Sequence, residues 1–322
     1  MTKFFFTAAA ALVATAALAQ PKTDLRPDVT VLLYAESADS LSDPVVGREI
    51  AYAGYTIAED NGLRGPEAIK PNGNLSNISS LARMDLYFPA HPSGQMIIVC
   101  PGGGNSIVSS YNEGVYVADW MLKHDITVCV VKYRLPNGHW TVPLEDVQNA
   151  FRYCREHAEG WGVGKIGVIG FSAGGHLAAC VETMYVDEMT RPDWAVLIYP
   201  VITFDKVNTH SGTRKNMIGH IEESDPALYE ALVERYSTEK RVTPATPPTF
   251  IALCTDDKSV KPVNSLRFYE ALEACKVPCE MYIYPTGGHG WGFTTPQFGK
   301  DRLGGCREEF FTALSRFINA QK

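Results

Sequence analysis

At 322 residues the chain is long enough to bury its own core without covalent staples, and it suits one large α/β domain or two small ones. Its 36 acidic and 29 basic residues give a formal net charge of −7, which argues against nucleic acid or an anionic membrane as partner. No internal repeat, low-complexity tract or Pro/Ser linker divides the sequence, so one catalytic-sized domain over 20–322 is the simplest organisation.

The chain opens with Met1, Thr2 and Lys3, a short positive region, followed by the apolar, alanine-rich run Phe4 to Leu18 and by Ala17-Leu18-Ala19 before Gln20. This pattern fits a secretory signal peptide over 1–19, cleaved after Ala19. The run falls short of the roughly 20 residues that cross a bilayer, and no basic stop follows it. An exported protein, periplasmic or secreted, with no membrane attachment after cleavage is expected.

Eight cysteines in an exported chain invite a disulfide reading. Cys100, Cys129 and Cys254 lie in apolar strand patterns, and Cys154 and Cys180 in helical ones, so most are expected as buried thiols. Cys275 with Cys279 or with Cys306 is the pairing to test. Cys-x-x-Cys and His-x-x-x-His spacings are missing, and no metal is expected.

Over residues 24–95, Val29 to Leu33 and Met84 to Phe88 read as strands joined by Gly, Pro and Asn loops, the first antiparallel strands of a sheet. From Met96 onward strands and helices alternate. Strands are predicted at Met96 to Cys100, Thr127 to Lys132, Lys165 to Ile169, Ala195 to Tyr199, Phe250 to Cys254 and Glu280 to Tyr284. Helices are predicted at Gly114 to Lys123, Pro143 to Glu159, Val263 to Ala274 and Glu308 to Ala320. Such alternation implies a mainly parallel sheet with helices on both faces. Residues 203–246 interrupt it with polar sequence and one helical stretch, Pro226 to Tyr236, and form either a small lid or a surface excursion.

Four motifs fall just after predicted strand ends, where open α/β sheets place their sites. Gly170-Phe171-Ser172-Ala173-Gly174 is a Gly-x-Ser-x-Gly elbow that would hold the Ser172 hydroxyl free at the tip of a strand. Pro101-Gly102-Gly103-Gly104-Asn105 is a glycine loop whose N–H groups could meet a developing negative charge. Asp256-Asp257 and then Gly287-Gly288-His289-Gly290 follow the elbow in the chain.

Each motif alone has a bland reading: a chance serine turn, a tight glycine loop or a phosphate cradle. Their conjunction, in the order Ser, Asp, His, is that of the α/β-hydrolases. Ser172 is the expected nucleophile and His289 its base. Asp256 or Asp257 would orient the imidazole while the other caps the loop, and Ala173, Gly103 and Gly104 would form the oxyanion hole.

His139 and Trp140 lie on a loop of the same side, and Trp140 and Trp291 are candidate pocket walls. His176, in the helix after the elbow, reads as a packing or hydrogen-bonding residue, and Asp146 as a structural acid.

The stretches VCPGGGN at Val99 to Asn105, YRLP at Tyr133 to Pro136, GFSAGGHLA at Gly170 to Ala178, DDKSVKPVNSLRFYEAL at Asp256 to Leu272 and GGHGWG at Gly287 to Gly292 carry a resemblance. The chain resembles the bacterial bifunctional acetyl xylan esterase and feruloyl esterase group, related to the hormone-sensitive-lipase-like esterases. The resemblance covers Met96 to about Phe293. It implies an α/β-hydrolase fold, no cofactor, hydrolysis of acetyl or feruloyl esters on plant hemicellulose, and Asp257 as the acid. Where that group usually has an aromatic residue after the triple glycine, this chain has Asn105. The expected partner is therefore a small-molecule or oligosaccharide ester. Two other readings use the same features: a serine exopeptidase of the oligopeptidase branch, and a non-catalytic binding protein on the same fold.

Overall fold

The computed structural model describes residues 21–34, 41–293 and 301–322. The signal-peptide reading of 1–19 lies outside them.

The first strand, β1 (Val29–Leu32), is followed by β2 (Glu49–Tyr52), β3 (Ala68–Ile69), β4 (Asn74–Ser76) and β5 (Arg83–Tyr87). Regular alternation begins at β6 (Gln95–Cys100), which leads through β7 (Val108–Ser109) and a π-helical turn, Tyr111–Val115, into α1 (Tyr116–Leu122). Then come β8 (Thr127–Lys132), α2 (Val142–His157), β9 (Lys165–Phe171), α3 (Ser172–Thr183) and β10 (Ala195–Ile198). The 203–246 segment holds α4 (Ser211–Ile218) and α5 (Pro226–Tyr236). The chain closes with β11 (Thr249–Cys254), α6 (Val263–Ala274), β12 (Cys279–Tyr284) and α7 (Arg307–Asn319).

Among the described residues, nine strands form one sheet in the order β12-β11-β10-β9-β6-β8-β5-β1-β2. Pairing is parallel from β12 to β8, whereas β5 runs antiparallel to both β8 and β1. The mainly parallel sheet expected from the alternation is thus present. The antiparallel arrangement expected of Val29 to Leu33 and Met84 to Phe88 is present as β1 against β5, and β2, where the sequence predicts no strand, pairs parallel with β1 at the edge. A second sheet, β3-β4-β7, is antiparallel and had no sequence signal, because its strands are two or three residues long.

The central strands read as continuous apolar runs because both of their faces are covered. Along β6, Met96, Ile98 and Cys100 join one core and Ile97 and Val99 the other. The first core is closed by Leu144 of α2, Leu177 of α3 and Phe268 of α6, and the second by Val117 of α1 and Phe310 and Phe317 of α7. The period-two alternation of strand side chains thus divides one hydrophobic sequence between two helical layers.

Several charged groups inside this shell are paired. The Lys132 ammonium lies 2.7 Å from Asp43 and 2.5 Å from Asp85, all three fully buried. Asp146 accepts from the backbone N–H and guanidinium of Arg134, fixing the loop after β8 to α2. All eight cysteines are free thiols, which corrects the pairing considered for Cys275. The reason is direction: Cys275 Sγ faces the carbonyl of Val242, and Cys279 Sγ faces the carboxylate of Glu273.

Candidate active site

β9 ends at Phe171 in extended geometry, and the chain turns into α3 through Ser172 at φ +54°, a left-handed value rarely adopted outside glycine. A turn this sharp needs small neighbours. A Cβ on Gly174 would lie 2.1 Å from the carbonyl oxygen of Cys100, and one on Gly170 2.1 Å from that of Gly174. The two elbow glycines are therefore required by close backbone approach, and their absence of side chains lets α3 begin directly against the end of β6.

The turn delivers the Ser172 hydroxyl to His289, whose Nε2 lies 2.8 Å from Oγ. His289 Nδ1 lies 2.7 Å from Oδ2 of Asp257. A carboxylate only accepts, so the proton of the neutral ring sits on Nδ1 and Nε2 faces the serine as an acceptor. The other oxygen of Asp257 accepts the N–H groups of Ser259 and Val260, at 2.8 and 2.9 Å, which locks the carboxylate. Asp256 has a different employment: its oxygens accept the N–H groups of Gly287 and Gly288 and so hold the loop that carries His289.

Gly103 and Gly104, with φ of +137° and +63°, line the same cleft as Ser172 and His289. Among the described residues, neither backbone N–H is engaged in a hydrogen bond. The Ala173 backbone stands at the first turn of α3, where N–H groups have no intrahelical partner.

The cleft measures about 650 Å³ and is open, with the amide and hydroxyl side chains Asn72, Asn74, Ser106, Asn112, Asn216 and Ser259 on its walls beside Ile107. Among the described residues, no phenylalanine, tyrosine or tryptophan lines it. The expectation that Trp140 and Trp291 form pocket walls is therefore corrected. Trp291 is buried edge-on against Tyr199 and Phe310, each at 4.9 Å between ring centres. Trp140 packs against the core and gives its carbonyl to the Tyr236 hydroxyl.

Asn105 is likewise not on the wall. It is 4% exposed and its amide turns away to the carbonyl of Thr213 and to Met217 Sδ on α4. His139 pairs with Glu59, and buried His176 meets the carbonyl of Tyr236 at 2.7 Å, with its pKa pushed down to about 4 by burial.

Three groups at the site had no signal of their own in the sequence. Helix α4 of the 203–246 segment forms one wall, bound to the glycine loop by the Asn216 amide on the carbonyl of Gly104 at 2.8 Å. His210 caps α4: its Nδ1 accepts the N–H of Thr213 at 3.1 Å, and its ring lines the cleft beside Gly104. Burial and the neighbouring His289 both lower its pKa. Glu113, 4% exposed, reaches the glycine loop from the π-helical turn. The turn begins at Tyr111, ahead of the helix predicted from Gly114, so Glu113 lies outside that helix, and a π turn is not encoded by hydrophobic period.

A family model described as the alpha/beta hydrolase fold matches residues 97–293. The chain is 39% identical to an acetylxylan esterase of Xylanibacter ruminicola over 226 residues, covering 69% of this chain and 46% of that protein. It is 30% identical to endo-1,4-beta-xylanase B of Butyrivibrio fibrisolvens over 243 residues, covering 69% and 36% respectively. The match thus spans less than half the length of each of these two relatives. Among solved structures, an acetyl ester-xyloside bifunctional hydrolase from Caldicellulosiruptor lactoaceticus superposes with a TM-score of 0.60 at 33% identity, over 73% of this chain and 89% of that one.

Proposed function

The chain belongs to the alpha/beta hydrolase fold family, and from that premise we propose that it is a serine carboxylesterase removing O-acetyl groups from xylan-type oligosaccharides. The observation that carries the reading is the run of short contacts from Asp257 through His289 to Ser172, opening on a cleft whose walls carry amide and hydroxyl side chains.

In the proposed reaction His289 Nε2 takes the Ser172 proton as Oγ attacks the ester carbonyl. Asp257 keeps the ring in the reactive tautomer and stabilises the imidazolium that forms. The N–H groups of Ala173, Gly103 and Gly104 receive the oxyanion, each such donor being worth about 3 to 4 kcal/mol in the transition state. As the bond between the acyl carbon and the sugar oxygen breaks, His289 gives its proton to that oxygen, which leaves as a hydroxyl, and the acetyl group left on Ser172 is released as acetate by a water molecule deprotonated by the same base.

The choice of ester rests on the walls. Amide and hydroxyl side chains satisfy sugar hydroxyl groups, whereas a feruloyl ring would ask for apolar or aromatic surface. The similarity to an acetylxylan esterase and to an acetyl ester-xyloside hydrolase supports the same class.

The test is acetate release from acetylated xylo-oligosaccharides by the protein beginning at Gln20, with Ser172→Ala in parallel. Release by the wild type and its near-complete loss in the variant is the expected result. A folded wild type that releases ferulate from feruloylated oligosaccharides, and no acetate, would reverse the choice of acyl group. Export is part of the proposal and rests on the pattern of Met1 to Ala19. Sequencing the N-terminus of protein recovered outside the cytoplasm should begin at Gln20.

A further inference from the structure

The glycine loop and the histidine loop come from opposite ends of the domain sequence, yet both must be placed within a fraction of an ångström for acyl transfer. One buried side chain touches the supports of both. Glu113 Oε2 accepts the N–H of Gly102 at 2.8 Å, and its Oε1 accepts the hydroxyl of Tyr199 at 2.8 Å. The Tyr199 oxygen in turn accepts the N–H of Gly292, three residues beyond His289, at 2.8 Å. The Tyr199 ring lies against the imidazole of His289, with 4.7 Å between ring centres. Its backbone is held at φ +39°, a value costly for an aromatic residue and kept only where surrounding contacts enforce it.

The turn that carries Glu113 grips the histidine loop a second time. Asn112 donates its side-chain amide to the carbonyl of Gly290 at 3.1 Å, and its backbone carbonyl receives the N–H of Phe293. On the other side, Gly102 is wedged between Glu113 and the nucleophile: a Cβ there would stand 2.9 Å from Glu113 Oε2 and 3.0 Å from Ser172 Cβ.

We propose that Glu113, acting through Tyr199, is the positioning residue that holds the oxyanion loop and the base loop in register for acyl transfer. This rests on the proposed hydrolase reading. The donor pattern explains the residue type. Gly102 N–H, Tyr199 O–H and Gly292 N–H all point along one chain toward the carboxylate, so an acceptor with no proton of its own is needed at its end. A glutamine of the same shape would present N–H to a donor at one of its two ends. Burial raises the pKa of Glu113 above the usual carboxylate value, and the two hydrogen bonds together with the attraction of His289 offset only part of that rise.

The test uses Glu113→Gln, which keeps the volume, and Tyr199→Phe, which keeps the ring on His289 and removes the hydroxyl. Each is compared with wild type for kcat and KM on p-nitrophenyl acetate and for the rate at which Ser172 is labelled by a fluorophosphonate probe, at a temperature where circular dichroism shows the variant fully folded. Displacing a reacting group slightly costs on the order of 100-fold. Each variant should therefore lose about 10- to 100-fold in kcat and in labelling rate with little change in KM.

The double variant should be hardly worse than the worse single one, because both break the same chain. Rates near wild type in either folded variant, a change confined to KM, or losses that multiply in the double variant would overturn the inference. Should Glu113→Gln not fold, Tyr199→Phe alone decides it. A folded wild type that neither labels nor turns over would instead overturn the proposed function, and this inference with it.

Discussion

The Asp256 carboxylate accepts the backbone N–H of Gly288 at 2.8 Å, immediately before the histidine that Asp257 orients. Two adjacent acids thus act on one loop by different routes, one on its backbone and one on its side chain. Replacing Asp257 by Asn offers an amide to His289 Nδ1 and favours the wrong tautomer, so kcat should fall by about 10⁴-fold. Asp256→Asn keeps an acceptor for the loop at an exposed position and should lower kcat by less than about tenfold. Steady-state kinetics on one chromogenic ester compares the two, and similar losses would contradict the division of labour.

The elbow predicts a stability effect with no chemistry in it. At Gly174 an added methyl would meet the carbonyl oxygens of Cys100 and Pro101 at 2.1 and 2.4 Å, both backbone atoms of a central strand end that cannot give way cheaply. Gly174→Ala should destabilise the fold by about 3 kcal/mol or more, seen as a lower urea midpoint at unchanged slope. A midpoint equal to wild type would mean that α3 can retreat from β6.

Glu182 predicts a pH dependence. It is fully buried on α3, and burial raises its pKa to about 8. A neutral Glu182 can donate to the Thr249 hydroxyl, 2.7 Å away, which can then donate to the carbonyl of Pro247 at 2.9 Å. Because the folded pKa lies above the unfolded one, the folded state binds more protons between the two values. Stability from this group is therefore full below about pH 4.5 and declines as pH rises through about 8. Glu182→Gln should remove that decline and be more stable than wild type at pH 8.5 by a few kcal/mol, on the order of 1.4 kcal/mol per unit of pKa displacement. Chemical denaturation of both proteins at pH 5.5 and 8.5 gives the comparison.

His210 predicts an effect on substrate binding. With Nδ1 accepting the N–H of Thr213, the neutral ring carries its proton on Nε2, beside the cleft. His210→Ala should raise KM for an acetylated xylo-oligosaccharide by about tenfold, the worth of roughly one hydrogen bond. The same variant should leave turnover of p-nitrophenyl acetate, which has no sugar to contact, within about threefold of wild type. Equal losses on both substrates would give His210 a role in holding α4 instead.

The sequence by itself was enough for the layered α/β architecture, because strands buried on both faces leave continuous apolar runs and the helices between them leave a 3.6-residue period. It was also enough to single out Ser172, His289 and the Asp256-Asp257 pair, since glycine-rich turns after strand ends can be read without knowing what lies opposite them. The division of work between the two acids could not be read from their spacing, because it depends on which carboxylate lies beside Nδ1 and which beside the loop N–H groups. Asn105, Trp140 and Trp291 sit in the right loops, but the direction in which a loop side chain points is decided by neighbours distant in sequence: Thr213 and Met217 for Asn105, Tyr199 and Phe310 for Trp291. Glu113 and His210 have no local signature at all. Each acquires its place through partners, Tyr199 for Glu113 at 86 positions' remove and the glycine loop for His210, that only the closed tertiary structure brings within hydrogen-bond or contact distance.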